Sequence, residues 1–370
     1  MTGMSARLVL SPLLPTVASS LAITPARSGV ALSVMWVFGA LTQFPGGRLA
    51  DAWSRKTVLV ASLGLLALGT ALLFTTTSYL TLLVGVAVMG TGAGLYPPAA
   101  VTQLSELFVA RRGQAISVNS SAINVGGVLA AGLAAVMLAT ATWRTSFLVL
   151  TAGLAVVLVV MHRLNAEPYA VSRVSLDLRG TGARLLRSPH IRAALLAYTL
   201  FEAAWLGTTS FLPTYLQTIK GFSPGLASNA FAGLFVVGIV ANPVAGRLAD
   251  RGSYLRVATG AAVLATGGLS LLVFAGTHRS VLLAVLVAAT GLAAFWPAMH
   301  AYTMATLGAA NRGGDFGAIR SLFIGVGALG PAAVGVLAER TTFDVAYLGL
   351  ACCLLASAAV VYWLVRRDIE

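Results

Sequence analysis

Long apolar segments separated by short polar ones set the rhythm of this 370-residue chain. They run over 4–22, 28–47, 57–76, 79–103, 114–138 and 143–162, and resume over 191–218, 227–247, 254–275, 280–305, 316–337 and 345–365. Each is close to the roughly 20 residues that an α-helix needs to cross a hydrocarbon core. The apolar positions are continuous and do not alternate with period two, which excludes the strands of a transmembrane barrel. The pattern predicts an all-α integral membrane protein with twelve transmembrane helices, six on either side of a polar stretch. The first segment carries Pro12 and Pro15 and lacks the basic start of a signal peptide, so it is read as a span.

Composition narrows the class. Hydrophobic residues make up 58% of the chain and charged residues 9%, where a soluble domain carries roughly 25% charged. The net charge of +13 suggests nucleic acid only until its distribution is considered. The arginines cluster in short segments between apolar runs, where positive charge sets membrane orientation. With a cytoplasmic N-terminus, eighteen basic residues fall on the inner side and only Arg27, Arg144, Lys220, Arg279 and Arg340 on the outer. Both termini are therefore expected in the cytoplasm of a plasma-membrane protein, with lipid and not nucleic acid as its surroundings. Cys352 and Cys353 are adjacent in an apolar run and read as packing residues. No metal site, cofactor or catalytic constellation is predicted, and no nucleotide-binding Gly-x-x-x-x-Gly-Lys-Ser/Thr loop is present. An enzyme is not expected, and any pumping must draw on an ion gradient.

The chain repeats itself. Gly47-Arg48-Leu49-Ala50-Asp51 recurs as Gly246-Arg247-Leu248-Ala249-Asp250, an offset of 199. Leu14-Pro15-Thr16 recurs as Leu212-Pro213-Thr214 at 198, and Thr91-Gly92 and Pro98-Ala99 recur as Thr290-Gly291 and Pro297-Ala298 at 199. Trp143 to Phe147 aligns near an offset of 200 with Phe343 to Tyr347. Four regions sharing nearly one offset predict two pseudo-symmetric six-helix bundles, residues 1–163 and 191–370, joined by a cytoplasmic linker over 164–190. Parallel repeats of this kind place a solute site near the bilayer midplane, between the halves.

With these residues in hand, the chain resembles the major facilitator superfamily over essentially its whole length. The family's Gly-x-x-x-Asp-x-x-Gly-Arg-Lys signature appears as Gly47-Arg48-Leu49-Ala50-Asp51-Ala52-Trp53-Ser54-Arg55-Lys56, with Ser54 in place of the second glycine. The second copy keeps Gly246, Asp250 and Arg251 but lacks the Arg-Lys pair. The resemblance implies secondary transport by alternating access. It also implies that Gly47, Asp51, Arg55 and Lys56, with Arg320 as a partner for Asp51, latch the cytoplasmic face; an ordinary tight loop with orienting charges is the alternative. The Arg and Gln-Gly of drug–proton antiporters are missing from Val86 to Gly90, and their fifth-helix Gly-Pro pair is replaced by Asn124-Val125-Gly126-Gly127.

Charges inside a membrane usually mark function. Matching Pro15 to Pro213 sets Arg7 opposite Trp205, so the first span is expected to be several residues short and Arg7 to face the cavity, offering donors for an oxyanion. Snorkelling to headgroups is the alternative. Glu202, about a dozen residues into the seventh span, is expected to carry a proton, touch the solute or pair with Arg7. Gln43 and Asn242 share the 199 offset and are candidates for the pathway, as are Asn119 and Asn124 in the fifth span and His300 in the tenth. Trp36, Tyr96, Trp205 and Trp296 are candidates for an apolar wall; helix packing is the alternative for each. The reading is a monomeric secondary transporter of a small solute, an organic or inorganic anion, with proton coupling through Glu202. Its alternative is a proton-driven exporter of amphipathic compounds.

Overall fold

The computed structural model describes residues 2–108, 111–173, 178–307 and 312–367. Among them the chain is helical, and fourteen of its fifteen helices build the twelve crossings. The first crossing is α1 (Thr2–Leu8) continued by α2 (Leu10–Ser20). Then come α3 (Pro25–Ala52), α4 (Arg55–Phe74), α5 (Tyr79–Leu107), α6 (Arg112–Thr140) and α7 (Trp143–Leu164). A short helix, α8 (Leu178–Arg187), precedes the second six. These are α9 (Pro189–Thr218), α10 (Pro224–Arg251), α11 (Tyr254–Phe274), α12 (His278–Thr306), α13 (Arg312–Gly327) with α14 (Leu329–Arg340), and α15 (Phe343–Arg367). Ten spans among the described residues are long and apolar enough to cross a membrane by themselves. The remaining two crossings are the divided first span and α9, which carries Arg192, Glu202 and the run Thr208-Thr209-Ser210.

Local chemistry explains where the helices begin. Thr24, Ser54, Ser78, Ser188, Ser223, Ser253 and Thr277 each accept a hydrogen bond from the backbone N–H three residues on, which satisfies one of the free donors of a helix start. Pro25, Pro189 and Pro224 follow their caps at the position where a missing N–H costs nothing. Ser54 is thus the N-cap of α4, which accounts for a serine where the family motif carries glycine. Two crossings break, at Val9 and at Ala328. In each, a proline three residues on (Pro12, Pro331) cannot donate to the carbonyl four residues before it, that of Leu8 or Gly327. Pro45, Pro97, Pro98, Pro213, Pro243 and Pro297 lie inside unbroken helices.

The sequence repeat is a packing repeat. A Cβ on Gly69 would lie 2.5 Å from Met89 N, and one on Gly268, 199 residues later, would collide with Ala288 N. Gly92 meets Leu66 N in the first bundle as Gly291 meets Ala265 N in the second. The α4–α5 and α11–α12 crossings are therefore built on the same glycines, which let backbones touch without a side chain between them. Between the bundles, α3 and α14 close together at the face opposite the 165–173 segment. Gly29 lies under the Pro331 carbonyl and Gly335 under that of Pro25. Ala332 N donates to Ser33 Oγ at 2.9 Å, and Ala26 N donates to Glu339 Oε2 at 2.9 Å.

Candidate functional site

Three charged side chains converge near the middle of the bundle: Arg7 of α1, Glu202 of α9 and Arg320 of α13. Arg7 stacks over the Trp36 ring with its guanidinium carbon 4.9 Å from the centroid. Its Nη2 passes over Gly39, where a Cβ would come within 3.6 Å of it. Trp36 and Gly39 lie near the centre of α3, and Glu202 near the centre of α9, so the group sits at mid-membrane. Arg7 and Arg320 repel one another and each attracts Glu202.

These charges are coupled without being paired. None lies within 4 Å of an opposite charge, since the ion pair found among the described residues is Arg55–Glu106 at 2.6 Å. Among the described residues the three side chains form no hydrogen bond, and none of their charged atoms is fully buried without a partner. Glu202 itself is only 6% exposed. Its aliphatic stem lies across Gly327, where a Cβ would stand 2.7 Å from Glu202 Cγ. The carboxylate is aimed by that contact, at the level where the eleventh span breaks.

An aromatic wall adjoins the charges on the second bundle. Tyr198 stacks on Phe323 with centroids 4.6 Å apart, and Phe201 stacks on Phe295 at 3.7 Å. Trp296 and His300 lean on Tyr198 at 6.1 and 5.9 Å, and Phe316 closes the edge of His300 at 5.3 Å. Tyr198 shares a hydrogen bond with Thr303 at 3.1 Å, while His300 Nε2 is buried with no partner. Arg320 acts electrostatically on both Tyr198 and His300.

The other expected pathway residues are spread out. Asn124 packs in the space left by Gly238, whose Cβ would stand 3.1 Å from Asn124 Oδ1, which makes it part of the α6–α10 seam between the bundles. Asn242, one turn beyond Gly238, has a buried and unpartnered Oδ1. Gln43, one turn beyond Gly39, is half-buried, and Asn119 is half-buried too. Trp205 meets Phe235 edge-on at 6.3 Å, and Tyr96 packs against the first bundle's apolar core.

The motif at the α3–α4 turn is held by the segment that follows α7. The Glu167 carboxylate accepts from Arg55 N at 3.1 Å and Lys56 N at 3.0 Å, capping the first turn of α4. Lys56 Nζ donates to the Asn165 carbonyl at 2.7 Å and lies over the Tyr169 ring. Trp53 Nε1 donates to the Ser172 carbonyl at 2.8 Å, and Ser172 Oγ to that of Ala52 at 2.7 Å. A Cβ on Gly47 would meet Pro98 Cβ at 3.7 Å, and one on Gly246 would meet Pro297 Cβ at 4.0 Å, both ordinary distances. Asp250 and Arg251 are exposed, without a hydrogen bond or ion pair among the described residues. The side chain of Asp51 lies outside the described residues.

Arg320, expected as a partner for Asp51, lies two turns inside α13, which begins at Arg312, and acts electrostatically on Arg7 and Glu202; the Asp51 side chain lies outside the described residues. Tyr198, Phe201, Phe323 and Gly39 escaped sequence reading. The aromatic residues at 198, 201, 295, 296, 316 and 323 were visible as types, but their convergence was not.

Comparison with known proteins follows this geometry. The model of the Major Facilitator Superfamily matches residues 1–293. A probable sulfoacetate transporter, SauU of Cupriavidus necator, is 28% identical over 262 residues, covering 66% of this chain and 61% of the relative. The chain thus spans less than two thirds of that relative's length. An MFS-type efflux pump of Mycolicibacterium smegmatis is 29% identical over 319 residues, covering 77% of this chain and 71% of the pump. The crystal structure of the nucleoside transporter NupG superposes with a TM-score of 0.81 at 14% identity, over 98% of this chain and 97% of that one, a likeness of fold. The chain therefore belongs to the major facilitator superfamily and is a multi-pass membrane protein.

Proposed function

We propose that this transporter carries a small anion through the space bounded by Arg7, Glu202 and Arg320. Alternating access arises as two units, residues 1–163 and 191–370, rock about one another, joined by 164–190. Both termini lie in the cytoplasm and the host is the plasma membrane, by the inner excess of Arg and Lys. The closed α3–α14 seam then lies on the outer side, and the solute enters this conformation from the cytoplasm.

The observation that carries the reading is two guanidinium groups at mid-membrane that act on one carboxylate without forming an ion pair with it. Each charge at that depth costs about 2.5–3.5 kcal/mol on insertion scales, and no internal ion pair offsets it. A carboxylate, sulfonate or phosphate offers the planar or tetrahedral oxygens that guanidinium donors match. Similarity to a probable sulfoacetate transporter supports the same solute class. Proton coupling runs through Glu202, the acidic residue of the cluster. An exporter of amphipathic compounds is the second reading, favoured by the efflux pump that aligns over more of the chain.

A thermal-stability screen separates them, because a solute that binds only the folded state raises its melting temperature. The panel holds monocarboxylates, sulfonates, phosphate, sugars and lipophilic cations, on wild type and Arg7→Ala. Stabilisation by an anion in wild type but not in Arg7→Ala is the expected result. Stabilisation by lipophilic cations alone, equal in both proteins, replaces the anion reading with the exporter.

A further inference from the structure

We infer that the solute is an aromatic acid, its ring lying against Trp296 while its acid group meets Arg320 and Arg7. This rests on the anion reading above and goes beyond it by naming the body of the solute and the residue that selects it.

Two helices set rings and charges on common faces. Phe316, Arg320 and Phe323 follow one another at steps of four and three residues along α13, and Tyr198, Glu202 and Trp205 do so along α9. Residues at this spacing share one side of a helix. Glu202 and Arg320 thus each have a ring one turn before and one turn after them. Trp296 of α12 meets the rings of both helices, Tyr198 and Phe201 on α9 and Phe323 on α13. Arg320 acts electrostatically on Tyr198 and His300, both in ring contact with Trp296, so the charged and aromatic surfaces adjoin.

Accessibility singles out Trp296. Tyr198, Phe201, Phe295 and Phe323 are at most 2% exposed and form the layer behind it. Trp296 is only half-buried, as are Arg7 and Arg320. Its plane is fixed by four rings: it lies at 19° to Tyr198 and 28° to Phe323, and edge-on to Phe201 and Phe295 at 88° and 86°. An indole held this firmly offers a solute ring a stacking surface whose orientation is already set. Trp36, on the first bundle, is covered by the Arg7 guanidinium. The repeat also fails at the wall: the positions 199 residues before Trp296, His300, Phe316 and Phe323 are Pro97, Val101, Ser117 and Asn124. The first bundle is built without rings at these places, so packing six helices does not by itself require them.

The test compares acids of equal charge and similar size that differ in aromaticity: benzoate against cyclohexanecarboxylate, and phenylacetate against cyclohexylacetate, with methanesulfonate as a small acid lacking a ring. Half-saturating concentrations are read from the melting temperature of the purified full chain. The saturated ring is the more apolar of each pair, so burial alone would favour it. Wild type is expected to favour the aromatic acid roughly 2- to 10-fold, the range that ring–ring contact adds to area. Trp296→Leu is expected to lose that preference and Trp296→Phe to regain part of it, a pattern that lowered stability alone does not produce. The wild-type comparison stands whether or not the variants fold. Equal affinity of wild type for both acids of each pair overturns the aromatic inference and leaves the anion reading standing. A preference that persists unchanged in Trp296→Leu overturns the placing of the ring. If methanesulfonate alone stabilises wild type, and not Arg7→Ala, the aromatic inference again falls by itself. If no acid stabilises wild type more than Arg7→Ala, the anion reading fails and takes this inference with it.

Discussion

Glu202 lies across Gly327, so closely that a methyl group on the glycine would stand 2.7 Å from Glu202 Cγ and 2.8 Å from its Cβ. The contact joins the seventh span to the broken point of the eleventh, and it decides where a charged group points. Gly327→Ala must therefore displace Glu202 or separate the two helices. Overpacking of this kind costs about 1–3 kcal/mol. A lower melting temperature together with a weakened anion response is expected. Gly325→Ala, whose added methyl meets Ala40 Cβ at an ordinary 3.6 Å, serves as the control and should melt like wild type. Equal behaviour of the two variants would show that the Gly327 contact does not position the carboxylate.

At the face opposite the 165–173 segment, Glu339 of α14 accepts the Ala26 N–H in the first turn of α3. A carboxylate at a helix start is favourable, and here it joins the two bundles. Glu339→Ala should shift the protein towards opening on that face. In a Cys352→Ala, Cys353→Ala background, labelling of Ser28→Cys, a buried position on the same turn of α3, should become faster. Unchanged labelling would mean that the α3–α14 glycine contacts close this face by themselves.

Glu167 caps α4 through the amides of Arg55 and Lys56. Its removal in Glu167→Ala should cost about 1 kcal/mol locally and release the 165–172 segment from the α3–α4 turn. Hydrogen exchange at residues 54–57 is expected to accelerate, while the centre of α9 keeps its protection. Exchange that rises everywhere would point instead to loss of the whole fold.

Arg55 pairs with Glu106 at 2.6 Å, with 23% and 54% of the two side chains exposed. Pairs with this much solvent contact contribute about 0–1 kcal/mol. Arg55→Ala is therefore expected to leave the melting temperature nearly unchanged. A large drop would assign the pair a share in holding α5 against the α3–α4 turn that its exposure does not suggest.

The sequence by itself determined the membrane, the number of crossings and the family. Runs of about 20 apolar residues have few ways to satisfy their backbone in lipid, and helices are the one these runs suit. The 199-residue repeat became visible packing, since Gly92 and Gly291 meet equivalent atoms in the two bundles. Arg7 and Glu202 stood out because a charge in an apolar run is costly wherever the helix sits. Arg320 did not, because the run 316–337 hid the helical turns before it, and depth in a bundle depends on where a helix starts. The breaks at Val9 and Ala328 also lay beyond sequence reading, since six other prolines sit in unbroken helices. Only the tertiary structure brought Tyr198, Trp296, His300, Phe316 and Phe323 into one wall and left three charges facing one another unpaired. Helical periodicity fixes a residue's height and facing along one span; which spans become neighbours is decided by packing between helices, where a glycine such as Gly327 or Gly39 counts through the atoms it allows to approach.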